Sequence, residues 1–184
     1  MILMKDIIRE GNKKLENKAL FVTIPLKLKD IKLIREMNDF LKNSQDEEIR
    51  SKYKLRSGVG LAAPQLGIPK RICAIYLVFP DKTIEYNLVN PIITKKSTEL
   101  IYLENGEGCL SVDRETTGIT PRYRAITVSG FNYNLSTNLL EEIEIEFSEY
   151  VSIVVQHELD HLDGILFTKK MFKTIPNARA SEMI

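Results

Sequence analysis

Gln156-His157-Glu158-Leu159-Asp160-His161-Leu162-Asp163-Gly164 is the stretch from which the rest of the chain is read, and it contains both of the chain's histidines. Four residues apart on a helix, two imidazoles lie on one face, one turn apart, where they can grip a single metal ion. Glu158, beside the first of them, is placed to handle the proton of a water at that ion. The preceding residues Tyr150, Val151, Ile153, Val154 and Val155 are apolar, so at least one face of the helix is buried. The helix is expected over about 148–162, with Gly164 placed to end it. The chemistry this points to is metal-assisted hydrolysis.

Upstream of the helix the pattern is one of strands, with runs at 71–79, 84–89, 92–97, 100–103, 124–131 and 142–147. Glu142-Ile143-Glu144-Ile145-Glu146-Phe147 alternates as a half-buried strand with one wet face does. The Asn, Ser and Thr residues between Phe131 and Leu140 mark the turn of a hairpin. Nearer the N-terminus, residues 28–43 have helical periodicity, with Leu33, Ile34, Met37, Phe40 and Leu41 on one face. Ser44 with Glu47 three residues on reads as a capping box for a short second helix over roughly 45–53. A glycine-rich loop follows at 57–67. Short strands around one catalytic helix predict an α+β fold, antiparallel β-sheets packed around a central metal-binding helix.

A chain of 184 residues is expected to form one domain, 1–184, with a sizeable core. Its 43% hydrophobic and 28% charged content is ordinary for a soluble globular enzyme. The net charge of +1 supplies no basic field for nucleic acid, and Asp46-Glu47-Glu48 and Lys169-Lys170 read as solvated faces. No apolar stretch approaches the ~20 residues of a membrane helix, and Met1 to Arg9 has no signal-peptide pattern, so a cytoplasmic protein without a membrane partner is expected.

Of the two cysteines, Cys73 lies in the apolar run Ile72-Cys73-Ala74-Ile75-Tyr76-Leu77-Val78 and reads as a buried strand residue. Cys109, in Glu107-Gly108-Cys109-Leu110-Ser111, sits in a glycine-flanked turn and is the cysteine with chemistry. Two histidines leave a catalytic site one protein ligand short of three plus water. A third histidine six residues beyond His161 would make a metzincin, but position 167 is Phe. The one downstream glutamate, Glu182, lies near the chain end beyond Pro176, a poor place for a ligand. Cys109 is the best remaining donor.

Three segments together resemble the signature motifs of the peptide deformylases: Gly58-Val59-Gly60-Leu61-Ala62-Ala63-Pro64-Gln65, Glu107-Gly108-Cys109-Leu110-Ser111 and Gln156 to Gly164. Arg56-Ser57-Gly58 and Ser111-Val112-Asp113 resemble the subclass typical of Gram-positive bacteria. The resemblance implies removal of the N-formyl group from the formyl-methionine of newly made proteins, with release of formate. It implies one divalent ion, usually Fe²⁺ though Zn²⁺, Ni²⁺ or Co²⁺ can stand in, held by Cys109, His157 and His161. Glu158 is then general base and acid, and the Gln65 side-chain amide and the Leu110 backbone N–H are oxyanion donors. Val59, Gly60 and Gly108 offer backbone groups to an extended substrate. Ile153 and Val154, four and three residues before His157, read as plain core, as one wall of the methionine pocket, or as both at once. Asp160 and Glu107 are expected to share Arg122 in a layer that orients the ligands. The substrate implies nascent polypeptides as partners and transient contact with the ribosome. Two other readings remain at this level: a small peptidase using the same helix without Cys109, and a metal-binding module without catalysis.

Overall fold

The computed structural model describes residues 1–174 and 178–181, so Glu182 and Pro176 lie outside the described residues. Its helices are α1 (Leu28–Gln45), α2 (Glu47–Tyr53) and α3 (Glu149–Leu162). The strands are β1 (Gly60–Ala62), β2 (Ile72–Val78), β3 (Thr83–Lys96), β4 (Leu100–Leu103), β5 (Arg122–Tyr123), β6 (Ala125–Asn134), β7 (Leu139–Ser148) and β8 (Ala178–Ser181).

Alternation along β2 sets the layers. Ile72 and Ala74 face one way and pack with Leu33, Ile34, Met37, Phe40 and Leu41 of α1. Cys73, Ile75 and Leu77 face the other way, toward Val154, Val155, Leu159 and Leu162 of α3. A five-stranded antiparallel sheet, in the order β1-β2-β3-β6-β7, is therefore held between two helices. Each fully buried Leu or Ile in these layers contributes about 1.5–3 kcal/mol through removal from water. The fold is α+β, as expected. In β7, Ile143 and Ile145 pack on the α3 side while Glu144 is exposed, the half-wet strand that the alternation predicts.

Three local expectations are corrected. The runs at 84–89 and 92–97 are one strand, β3, with register shifts against β6 between Val89 and Ile92 and between Ile93 and Lys95. Asn90, at φ 54°, and Pro91 make the irregularity, and the Asn90 side chain is fixed by Val22, whose N–H it accepts at 2.7 Å and whose carbonyl it donates to at 2.8 Å. Second, Ser44 does not cap α2; Asp46 does, accepting the Ile49 N–H at 2.9 Å. Ser44 is buried, donates to the Leu41 carbonyl and accepts the Gly58 N–H at 3.2 Å, tying α1 to the glycine-rich loop. Third, the smaller sheet β5-β4-β8 is not wholly antiparallel, because β8, for which the tail gave no signal, pairs parallel to β4. Gly164 does end α3, at φ 74°, and a Cβ there would lie 2.4 Å from the Glu16 carbonyl oxygen.

Candidate metal centre and active site

α3 carries His157, Glu158 and His161 on the turns that face β1 and the 107–111 loop. Cys109 Sγ and one ring nitrogen from each of His157 and His161 all lie within 4.8 Å of one another. Sγ is 3.2 Å from His161 Nε2 and receives the Ser111 N–H at 3.4 Å and Gln65 Nε2 at 3.6 Å. His157 Nδ1 meets Glu107 Oε2 at 2.8 Å, which turns its Nε2 toward the sulfur side. One soft sulfur and two imidazole nitrogens, with a carboxylate alongside, fit a divalent transition ion with a position left open.

One guanidinium links the two carboxylates behind the three donors. Arg122 is 2% exposed and grips Glu107 through two bonds, at 2.7 and 2.8 Å, and Asp160 at 2.5 Å. Burial pushes the Glu107 carboxyl up, but Arg122 and His157 outweigh it and hold the group at about 2. Burial, followed by the charge of His157, drives His161 toward its neutral form, the one that binds metal. For His157 burial pulls the same way, but Cys109 and Glu107 hold its proton, so an ion has to displace it.

Glu158 is 4% exposed, and its Oε2 has no partner among the described residues. Burial is the main cause that pushes its carboxyl up to about 7, against the opposing charges of His157 and Arg122. The side chain lies against β1 so closely that a Cβ on Gly60 would be 2.2 Å from Oε1. Gln65 serves two ends at once. Its Oε1 accepts the Ala62 N–H at 2.8 Å, and its Nε2 is left pointing at Cys109 and Ser111 Oγ.

These side chains meet at the floor of a cleft of about 360 Å³. Val59, Gly60, Gln65, Glu107, Gly108, Cys109, Leu110, Ile153, Val154, His157 and Glu158 all line it, so the structure brings the sequence-expected residues together. His161 lies behind this surface, and Arg122 and Asp160 lie behind the ligands. Tyr150, Leu103 and Arg56, which carry no motif of their own, also line the cleft. Tyr150 is legible in the sequence, because it lies seven residues before His157 and shares the face of Ile153 and Val154. Arg56 donates to the carbonyls of Cys109 and Val112, a bridge between distant loops that no local pattern announces.

A centre of this kind, open to solvent through a cleft, belongs to hydrolases that work through a metal ion. The model of the polypeptide deformylase family matches residues 4–176, and the chain belongs to the peptide deformylase family, enzymes that remove the N-formyl group from nascent peptides. A peptide deformylase of Oceanobacillus iheyensis is 49% identical over 168 residues, 91% of this chain and 89% of that protein. Peptide deformylase 2 of Bacillus anthracis is 45% identical over 179 residues, covering 97% and 95%. The solved class I type b peptide deformylase of Acinetobacter baumannii is similar with a TM-score of 0.70 at 27% identity, over 92% of this chain and 99% of that one. That of Thermotoga maritima has a TM-score of 0.67 at 29% identity, over 90% and 96%.

Proposed function

We propose that this chain hydrolyses the N-formyl group of formyl-methionine at the start of newly made proteins, with Cys109, His157 and His161 holding one divalent ion. The observation that carries the reading is the convergence of those three donors within 4.8 Å on a cleft floor shared with Glu158. Fe²⁺ is the ion expected from the family resemblance, and Zn²⁺, Ni²⁺ or Co²⁺ suit the same donors. When bound, the ion supplies a Lewis acid for the formyl oxygen and makes water nucleophilic near neutral pH.

The protein's own groups do the rest. Glu158 takes the proton of the attacking water as oxygen bonds to the formyl carbon. The C–N bond then breaks, and Glu158 returns the proton to the nitrogen, so that the amine leaves neutral and formic acid remains, which gives up its own proton to solvent as formate. Gln65, its Oε1 anchored on Ala62, donates Nε2–H to the oxygen as charge builds, and the Leu110 backbone N–H is the second donor. One such donor is typically worth ~10²–10³ in turnover. β1 is an edge strand, so an extended peptide can pair along Val59 and Gly60 with Gly108 opposite, while Ile153 and Val154 wall the methionine side chain. A nascent-chain substrate implies a cytoplasmic enzyme that meets the ribosome transiently. Among the described residues no helix is long and apolar enough to cross a membrane.

Two substitutions probe parts of this arrangement. Gly60→Ala places its methyl on the Glu158 carboxylate. The methyl would also lie 2.6 and 2.7 Å from Cδ and Cγ, so the whole Glu158 side chain must shift, and a base displaced by about 1 Å is expected to cost ~10²-fold in kcat. Steady-state rates at equal ion content check this, and wild-type kcat would mean that Glu158 need not stand where it does. Arg122→Leu leaves Glu107 and Asp160 buried without their shared cation. A loss of about 3–5 kcal/mol in unfolding free energy and ~10–100-fold weaker ion retention are expected. Denaturant unfolding and chelator competition measure the two, and wild-type values in both would remove Arg122 from the account.

The test of the function is to incubate anaerobically purified, metal-loaded protein with formyl-Met-Ala-Ser and identify the products. Formate and intact Met-Ala-Ser are expected. A cleaved peptide without formate would make the chain a peptidase, and no product at all would reject the reading.

A further inference from the structure

We infer that Lys170 is a positioning residue for the metal centre, acting through Asp160 and Arg122 on Glu107 and His157. The inference rests on the reading of Cys109, His157 and His161 as ligands. By sequence, Lys169-Lys170 is a solvated pair, but the two side chains part company in the fold. Lys169 reaches Glu16 at the surface, whereas Lys170 Nζ donates to Asp160 Oδ1 at 2.6 Å. Asp160 Oδ2 accepts Arg122 Nη1, Arg122 holds both oxygens of Glu107, and Glu107 Oε2 holds His157 Nδ1. Lys170, with 37% of its side chain exposed, is the outermost link of this chain; the side chains of Asp160, Arg122 and Glu107 are 13%, 2% and 4% exposed.

An isolated surface ion pair contributes little, but this one gives a second cation to Asp160, a mostly buried carboxylate that otherwise has only the guanidinium it shares with Glu107. Without Lys170, one guanidinium must serve both Asp160 and Glu107. Asp160, left with a free oxygen, then draws the guanidinium toward itself. Glu107 loosens with it, and so does the orientation of the His157 ring, which the Nδ1 contact sets.

The same short turn makes a second contact with that ring. Phe167 is 2% exposed, and its ring centroid lies 5.7 Å from that of His157, at an interplanar angle of 31°. Lys170 closes the Phe167–Lys169 turn, its N–H donating to the Phe167 carbonyl at 2.8 Å. One turn thus rests Phe167 on His157 and sends Lys170 to Asp160, clamping α3 from outside the cleft.

Wild type, Lys170→Met, Lys170→Arg, Lys169→Met and Arg122→Leu, each loaded with Co²⁺, are compared by the rate of ion transfer to a chelator and by the visible spectrum of the cobalt centre. Thermal midpoints of the metal-free proteins serve as a control for folding. Lys170→Met is expected to lose the ion about tenfold faster with an altered spectrum and an unchanged midpoint, the lower end of the range for groups that orient ligands. Lys170→Arg should restore both. Lys169→Met, which removes the same charge one residue away, should match wild type. Wild-type behaviour of Lys170→Met, or an equal effect from Lys169→Met, overturns the inference. If Arg122→Leu speeds ion loss while Lys170→Met does not, the inference fails and the ligand reading stands. If wild type binds no cobalt, the ligand reading fails and the inference falls with it.

Discussion

Glu158→Gln is expected to keep its ion and its fold and to release formate about 10³-fold more slowly, within the 10²–10⁴ that general acid–base catalysis supplies. The amide has the shape of the carboxylate but cannot take the proton of the attacking water or return it to the leaving nitrogen. Glu158 is 4% exposed with Oε2 unpartnered, and burial pushes its carboxyl up to about 7, so keeping it ionised at neutral pH costs stability because the buried charge lacks its hydrogen bonds. A neutral amide relieves part of that cost, so the thermal midpoint should hold or rise while turnover collapses. Stability kept and activity lost in one substitution is the mark of a group retained for chemistry. The measurement is steady-state formate release and the thermal midpoint at matched ion content. Turnover within tenfold of wild type would remove Glu158 from the proton transfers.

Cys109→Ala is expected to abolish ion binding and, with it, activity. Two imidazoles alone leave the ion one ligand short of the three that open catalytic sites use. The sulfur also receives the Ser111 N–H and Gln65 Nε2, so its loss removes one of the contacts that aim Gln65, which keeps Ala62 and Ser111 Oγ. Several kcal/mol of Lewis-acid stabilisation disappear together, so a fall of at least ~10³-fold is expected. Elemental analysis after purification and formate release measure the two consequences. A variant that retained both ion and activity would favour a peptidase-like site built from the histidine pair alone.

Much of this site is legible in the sequence because its chemistry is local. His157, Glu158 and His161 are fixed relative to one another by helix geometry, and Ile153 and Val154 by the same periodicity. Cys109 and Gln65 become legible only because glycine-flanked turns and a motif resemblance mark them. The strands of the large sheet are read from alternation, but the bulge at Asn90 and Pro91 divides one strand into two apparent runs. Nothing local shows that the Asn90 side chain will be held by Val22, 68 positions away. β8 stays hidden because its four residues, Ala-Arg-Ala-Ser, alternate only weakly, and its register depends on β4. The start of α3 is another such place. Ser148 makes no side-chain cap, and Glu149 takes φ 55° while its carboxylate is held by Arg124 and Arg179, both distant in sequence. Lys170 shows the same limit at the site: its sequence context is a charge run, and only the fold sets it on Asp160.

One ion, held by Cys109, His157 and His161, is proposed to make this chain a deformylase. The most direct measurement is an anaerobic titration of metal-free protein with Fe²⁺, following the rate of formate release from formyl-Met-Ala-Ser at each addition. No release is expected without the ion, then a linear rise, and a break at one equivalent per chain. Release by the metal-free protein, or silence with one equivalent bound, would contradict the proposal.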